Sequence, residues 1–377
     1  MNTVAIDATS EARPLGQVRA RGRIEAIDLA RGFAVTLMIL SHGVNGLLPL
    51  SEIPDWGAVP IHVVTKFSSS LFFLVFGIAL AAVFVPKTQA ADWPERRHRL
   101  LVRGLVVLLW YKVLTIVEMY GLHEPAEIVG TLLYRDFPSF VEILGFYAIA
   151  LLVVPWFLPL WARTPAILRW ASPVLLAAAA WWLLKNFDFW GVPQVQALVV
   201  EHPEYYTWGQ LSRMPLVLLG LLIGGLLRDS YHEPLRRFSL AGAIAAVAIL
   251  LLVAFVQLAG EDRAEILRAI AGNDGKHPPE LMFMLFSVGG ALLLLAVAIA
   301  GRDWLARALR PIAIIGSDAL MAFIFHITVI FVLYRDVLGY YRSISYPHAL
   351  SLTIVLIAAT ALWIWAWQCA RTAVRNK

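Results

Sequence analysis

One feature of this chain decides its architecture. It repeats apolar runs of roughly 18 to 25 residues, each long enough to cross a bilayer as a helix. In lipid the backbone N–H and C=O groups must be satisfied within the structure, so runs of this length call for helices rather than open sheet. Ten are legible, at about 27–50, 61–85, 100–121, 137–160, 172–187, 210–227, 239–259, 279–300, 312–334 and 348–370. Composition agrees: 60% of the 377 residues are hydrophobic and 15% charged, where soluble domains carry about half and about a quarter. The 14 Trp and 11 Tyr gather near the ends of the runs, as interfacial anchors do. The expectation is an all-α, polytopic integral membrane protein. A single membrane domain would span 27–370, between an N-terminal segment, 1–26, and a tail, 371–377. No linker, low-complexity tract or fixed-period repeat divides it.

An even number of spans puts both termini on one face, and Lys and Arg choose which. Arg13, Arg19, Arg21 and Arg23 precede the first run. Lys87, Arg96, Arg97, Arg99 and Arg103 follow the second; Arg163 and Arg169 the fourth; Arg228, Arg236 and Arg237 the sixth; Arg302, Arg307 and Arg310 the eighth. Arg371, Arg375 and Lys377 end the chain. The opposite face has fewer, among them Arg135, Lys185, Lys276 and Arg335, and carries acids such as Glu201 and Glu261. By the positive-inside rule both termini are expected in the cytoplasm, with the protein in the inner (plasma) membrane. The argument depends on the short run at 172–187, without which the alternation breaks. Residues 1–23 show no cleavable signal pattern, and the first run is too long for a signal core. The net charge of +5 is dispersed over short loops and does not point to nucleic acid. Cys369 is the only cysteine, so no intrachain disulfide or thiolate metal cluster is expected, and no metal.

Ionisable residues at membrane depth are costly and mark function by default. Here they are Asp28, Arg31, His42, Lys66, Lys112, Glu118, Glu142, Arg213, Asp318 and His326. Asp28 and Arg31 are helix neighbours. Arg31 and His42, eleven residues apart, share a helix face about 16 Å apart along the axis. An anionic group could be held at Arg31 while a proton is removed at His42, whose imidazole serves as base or acid. An interfacial Asp–Arg anchor beside a hydrogen-bonded histidine would read the same. For Lys66, Lys112, Glu118, Glu142 and Arg213, structural pairing or snorkelling is expected.

The stretch "PERRHRLLVRG" sets Arg96, Arg97, Arg99 and Arg103 around His98, the densest basic cluster in the chain. It suits a donor bearing several phosphates, because Arg grips phosphate through a fork of donors. It equally suits plain positive-inside topology. Walker and Rossmann glycine patterns are absent, which argues against ATP- or NAD-driven chemistry. "GKHPPELMFMLFSVGG" starts a helix with two prolines beside Lys276 and His277. "RPIAIIGSDALMAFIFH" holds small residues for close packing with Asp318 and His326 eight apart, not expected to pair.

Together these stretches resemble the polytopic transmembrane acyltransferases, both the heparan-α-glucosaminide N-acetyltransferase-like proteins and the acyltransferase-3 family. "RIEAIDLARGFAVTLMILSH" is similar to the family's first helix, with Asp, Arg-Gly and a His eleven residues after the Arg. "KFSSSLFFLVFGIAL" resembles its second helix, "RLLVRGLVVLL" the start of its third, "KHPPELMFMLFSVGGALLLL" a Pro-Pro helix of the bacterial heparan-type branch, and "PIAIIGSDALMAFIFH" a late Gly-Asn-Ala-Leu helix ending in His. The matches fall in order between residues 23 and 326.

The resemblance implies transfer of an acyl group, acetyl above others, from cytoplasmic acetyl-CoA or another acyl-CoA to a sugar amine or hydroxyl beyond the membrane. It implies Arg31 and His42 as essential, and an Arg-x-x-Arg pair whose spacing Arg96 and Arg99 fit; the mechanism expected from these residues has Asp28 orienting Arg31, and Arg96, Arg99 and Arg103 joining Arg31 on the donor's phosphates. His42 would act as general base or carry the acyl group itself. Lys276, His277, Asp318 and His326 are candidates for lining the acceptor side; a satisfied bundle histidine is the other reading of His326. The chain departs from the pattern at Lys66, where Arg is usual, at Glu280 for Ser and at Asp318 for Asn, which bears on the acceptor more than on the reaction. The competing reading is a membrane transporter of a small anionic or lipid-linked substrate, against which the lack of internal symmetry counts. Partners expected are acyl-CoA, a glycan or amino-sugar acceptor and the lipid bilayer; acceptor identity, acyl chain, and monomer or homodimer stay open.

Overall fold

In the computed structural model, which describes residues 24–375, ten helices are long and apolar enough to cross a membrane. The basic residues Arg13, Arg19, Arg21, Arg23 and Lys377, and most of the N-terminal segment 1–26, lie outside the described residues. The chain is 82% helical with no strand among the described residues. The spanning helices are α1 (Glu25–Asn45), α2 (Asp55–Lys87), α3 (Trp93–Met119), α4 (Glu142–Arg163), α5 (Ala166–Asn186), α6 (Gln210–Ser230), α7 (Pro234–Ala271), α8 (Leu281–Ala308), α9 (Ala319–Val337) and α10 (Tyr346–Val374).

The order agrees with the ten apolar runs; three details differ. The run at 172–187 is a full 21-residue helix, α5, with hardly any of its span buried. It packs on α6 at the edge of the bundle, so lipid-facing Trp181 and Trp182 replace the apolar continuity that a buried span would show. The run at 312–334 is two helices. Arg310–Ser317 ends at Asp318, which leaves helical geometry (φ −141°, ψ 73°) and caps α9 by accepting from the Met321 amide at 3.3 Å. A short carboxylate at this position satisfies an otherwise unbonded N–H. The last nine residues of α9, Val329–Val337, widen into π-helix.

α1 is the hub, packed against α2, α8, α9, α10 and the short helix Arg310–Ser317. Its face toward that helix has no side chain at the crossing. A Cβ on Gly316 would run into the Asp28 carbonyl and the Gly32 backbone, and one on Gly32 into the Ile312 carbonyl. Backbone-to-backbone approach of this kind is what small residues permit between membrane helices. The crossing places the Gly316 carbonyl beside Arg31.

Candidate active site

His42, near the end of α1, meets His326 from the middle of α9. Nδ1 of His42 lies 3.2 Å from Nε2 of His326, and His326 Nδ1 lies 2.7 Å from the Ala322 carbonyl. A carbonyl only accepts, so His326 Nδ1 carries the hydrogen. In the neutral pair His326 Nε2 then accepts from His42 Nδ1–H, which leaves His42 Nε2 as a proton acceptor. His326 is fully buried, and Phe140 and Phe323 meet the His42 ring edge-on at 5.4 and 6.0 Å. Packing thus fixes both the ring's position and its tautomer.

On the Arg31 side of this pair lies a cavity of about 150 Å³. Arg31, Arg103 and Ser317 line it with Phe72, Tyr147 and Phe323. Arg31 Nη1 donates to the Gly316 carbonyl at 3.1 Å and stands 3.5 Å from the Asp28 carboxylate. On the other side is a smaller cavity of about 40 Å³, lined by His42, Lys66, Glu142 and Lys276 among polar neighbours such as Ser69 and Asn273. Phe323 lines the first cavity and touches His42, which lines the second. The histidine therefore stands one aromatic ring from the arginine-lined space.

The expected basic cluster is divided by the structure. Arg103 reaches the larger cavity. Arg96 is turned to Asp92, and Arg99 is exposed and held by Glu95 at 3.0 Å. By spacing they share a face of α3 with Arg103, but they stand one and two turns nearer its start, outside the lining of that cavity. The four candidates for the acceptor side also separate. Lys276 lines the small cavity. His277, beside it, turns away to Glu201. His326 is against His42, and Asp318 sits at the Arg31 end, capping α9 with Arg371 3.9 Å away. Asp318 and Lys276 thus occupy opposite ends of the site, because the helix break turns Asp318 onto the backbone.

Several site residues were not legible beforehand. Lys66 and Glu142, expected to be structural, line the His42 cavity. Lys66 donates to Asn273 Oδ1 at 2.6 Å, and Glu142 Oε1 accepts from Trp208 at 3.2 Å. Glu201, which reads as a loop acid, is wholly buried. It takes Arg213 through both oxygens at 2.6 and 3.1 Å and His277 Nδ1 at 2.8 Å. Its backbone (φ 75°, ψ 157°) lies in a region nearly reserved for Gly, at a cost of about 1–3 kcal/mol that the charge-assisted bonds offset. Burial alone would raise the Glu201 carboxyl, but Arg213 and His277 hold it below its ordinary range. Burial pushes His277 down to about 4, against the pull of Glu201. Burial likewise lowers the Lys276 ammonium, with Glu142 opposing. The one advance signal was Arg213 itself: an arginine inside an apolar run needs a buried anion. Elsewhere the structural expectation fits, since Glu118 accepts from the amides of Ser139 and Phe140 at 2.6 and 3.1 Å, and Lys112 lies over the Tyr134 ring.

No curated protein matches the chain. The family model of the acyltransferase domain, Acyl_transf_3, matches residues 24–368, which takes in all ten spanning helices but the last turns of α10. With ten helices long and apolar enough to cross a membrane, that match identifies the chain as a multi-pass membrane protein and a member of the acyltransferase-3 family of acyltransferases.

Proposed function

We propose that the protein takes an acyl group, acetyl in the simplest case, from acyl-CoA on the cytoplasmic side and places it on a sugar hydroxyl or amine that enters from the opposite side. The observation that carries this reading is that His42 lines a small polar cavity and stands one aromatic ring, Phe323, from an arginine-lined one. The Lys/Arg bias supports assigning the Arg31 end to the cytoplasm of an inner-membrane protein.

Arg31, with Arg103, would bind donor phosphate, and Asp28 would orient Arg31. Arg96 and Arg99 would act at longer range, at the rim. The apolar wall of Phe72, Tyr147 and Phe323 would guide the thioester toward His42. His42 Nε2 takes the proton of the acceptor O–H or N–H as the nucleophile bonds to the thioester carbon. The tetrahedral intermediate then expels CoA as thiolate, C–S breaking, and His42 returns the proton to sulfur. His326 holds His42 in the tautomer this requires, in the manner of an orienting partner to a catalytic histidine. Lys66 and Lys276 flank the acceptor side.

The test is acetyl-CoA binding and acetyl-CoA hydrolysis by detergent-purified protein. Wild type binds and turns over slowly; Arg31→Ala binds more weakly; His42→Ala binds but does not turn over. Absence of binding to any acyl-CoA by wild type sinks the donor assignment and turns attention to transport.

A further inference from the structure

We infer that the cavity beside His42 is a carboxylate pocket, so that the acceptor is an acidic sugar, a ring that carries a carboxylate near the hydroxyl or amine to be acylated. This rests on the acyl-transfer reading above, and it commits that reading to one acceptor class.

The argument begins with charge. Lys66 is buried and Lys276 partly so, and both line the cavity. Among the described residues neither belongs to an ion pair. Lys66 has a neutral partner, Asn273, and Lys276 donates to the Tyr206 hydroxyl and lies over the rings of Tyr206 and Trp208. The neighbouring cation is treated differently: Arg213 is paired with the Glu201 carboxylate on two bonds. One acid, Glu142, thus faces two ammonium groups, and one of its oxygens is buried without a hydrogen-bond partner. Buried charge is tolerated when it is paired and hydrogen-bonded. A single further negative charge between Lys66 and Lys276 completes the set.

Size selects among anions. About 40 Å³ is roughly three water-sized volumes, which suits the three heavy atoms of a carboxylate and is tight for a five-atom phosphate. Polarity selects against the acyl group itself. A methyl would lie among Ser41, Ser68, Ser69, Thr65 and the charged groups, whereas a carboxylate finds donors there. His42 lines the same space, so an acceptor anchored by its carboxylate brings a neighbouring ring hydroxyl to the base.

The experiment is ligand binding to the detergent-purified full chain, by calorimetry and thermal melting at matched ionic strength. The probes are glucuronate, its uncharged methyl ester, glucose and glucose 6-phosphate, with acetyl-CoA read in the same samples. The expected result is that glucuronate binds at least about ten-fold more tightly than its methyl ester or glucose, and more tightly than glucose 6-phosphate. Lys66→Gln and Lys276→Gln erase that preference while acetyl-CoA binding persists. Equal binding of glucuronate and its methyl ester by wild type overturns the inference, with no variant needed. So does a glucose 6-phosphate preference, or a Lys66→Gln protein that binds acetyl-CoA and still prefers glucuronate. Loss of acetyl-CoA binding in wild type strikes the acyl-transfer reading instead, and leaves the carboxylate result to be judged separately.

Discussion

His42 Nδ1 and His326 Nε2 lie 3.2 Å apart although 284 residues separate them in the chain. The contact sets a direction for hydrogen bonding, from His42 to His326 to the Ala322 carbonyl. A His326 variant that cannot accept frees His42 to choose the wrong tautomer. His326→Leu is expected to lower kcat by about 10²-fold, within the range general-base assistance spans, with little change in KM for acyl-CoA. His326→Gln, whose amide oxygen can accept, recovers part of the loss. Equal defects in the two variants would assign His326 to packing alone.

The arginines should separate by position. Arg31 and Arg103 line the larger cavity, while Arg99 is exposed and held by Glu95. Arg31→Ala is expected to raise KM for acyl-CoA by about 10- to 100-fold, the range for loss of a charge-assisted contact. Arg103→Ala raises it less, and Arg99→Ala within about two-fold. Initial rates against acyl-CoA concentration check the order; an Arg99 effect as large as that of Arg103 contradicts it.

Gly316 serves the crossing that aims Arg31. Its Cβ would meet backbone of α1, which cannot swing aside as a flexible side chain does. Gly316→Ala should destabilise the protein by about 1–3 kcal/mol, as overpacking does, and weaken acyl-CoA binding because its carbonyl receives Arg31. Gly242, around which a Cβ finds open space, is the control: Gly242→Ala leaves the melting temperature unchanged or slightly raised.

Stability should rise with pH on account of His277. Its pKa is lowered by burial to about 4, so between there and its ordinary value near 6.5 the unfolded chain binds a proton that the folded chain does not. More protons on the unfolded state means stability grows as pH rises through that window and is lost as pH falls. The Glu201 carboxyl, held low by Arg213 and His277, adds loss in the same direction at still lower pH. Melting temperatures across pH 4 to 7 should climb in wild type and climb less steeply in His277→Gln, which keeps a donor for Glu201. A wild-type profile with no slope over this window contradicts the assignment.

The single helices were legible because their cause is local. Hydropathy over about twenty residues marks a span, and the 3.6-residue period puts Arg31 and His42 on one face of α1. That sufficed for the all-α membrane fold and for the resemblance to its family. The same logic failed where polarity hid a role: Lys66 and Glu142 look like single charges to be tolerated, and Glu201 like a solvated loop acid.

What tertiary structure alone decided is which of these charges meet. α1 brings His42, α2 Lys66, α4 Glu142 and the loop before α8 Lys276 to one small space, and α9 brings His326 against His42. Period and hydropathy describe each helix against lipid; they are silent on rotation and on partner, which follow from glycine crossings such as Gly32 with Gly316 and from the need to pair buried charge. By itself the sequence determined that the chain has ten spans able to cross a membrane and carries a histidine on the same helix face as an arginine. The packing of distant segments determined that this histidine meets His326 and that two lysines and one acid share the cavity it lines.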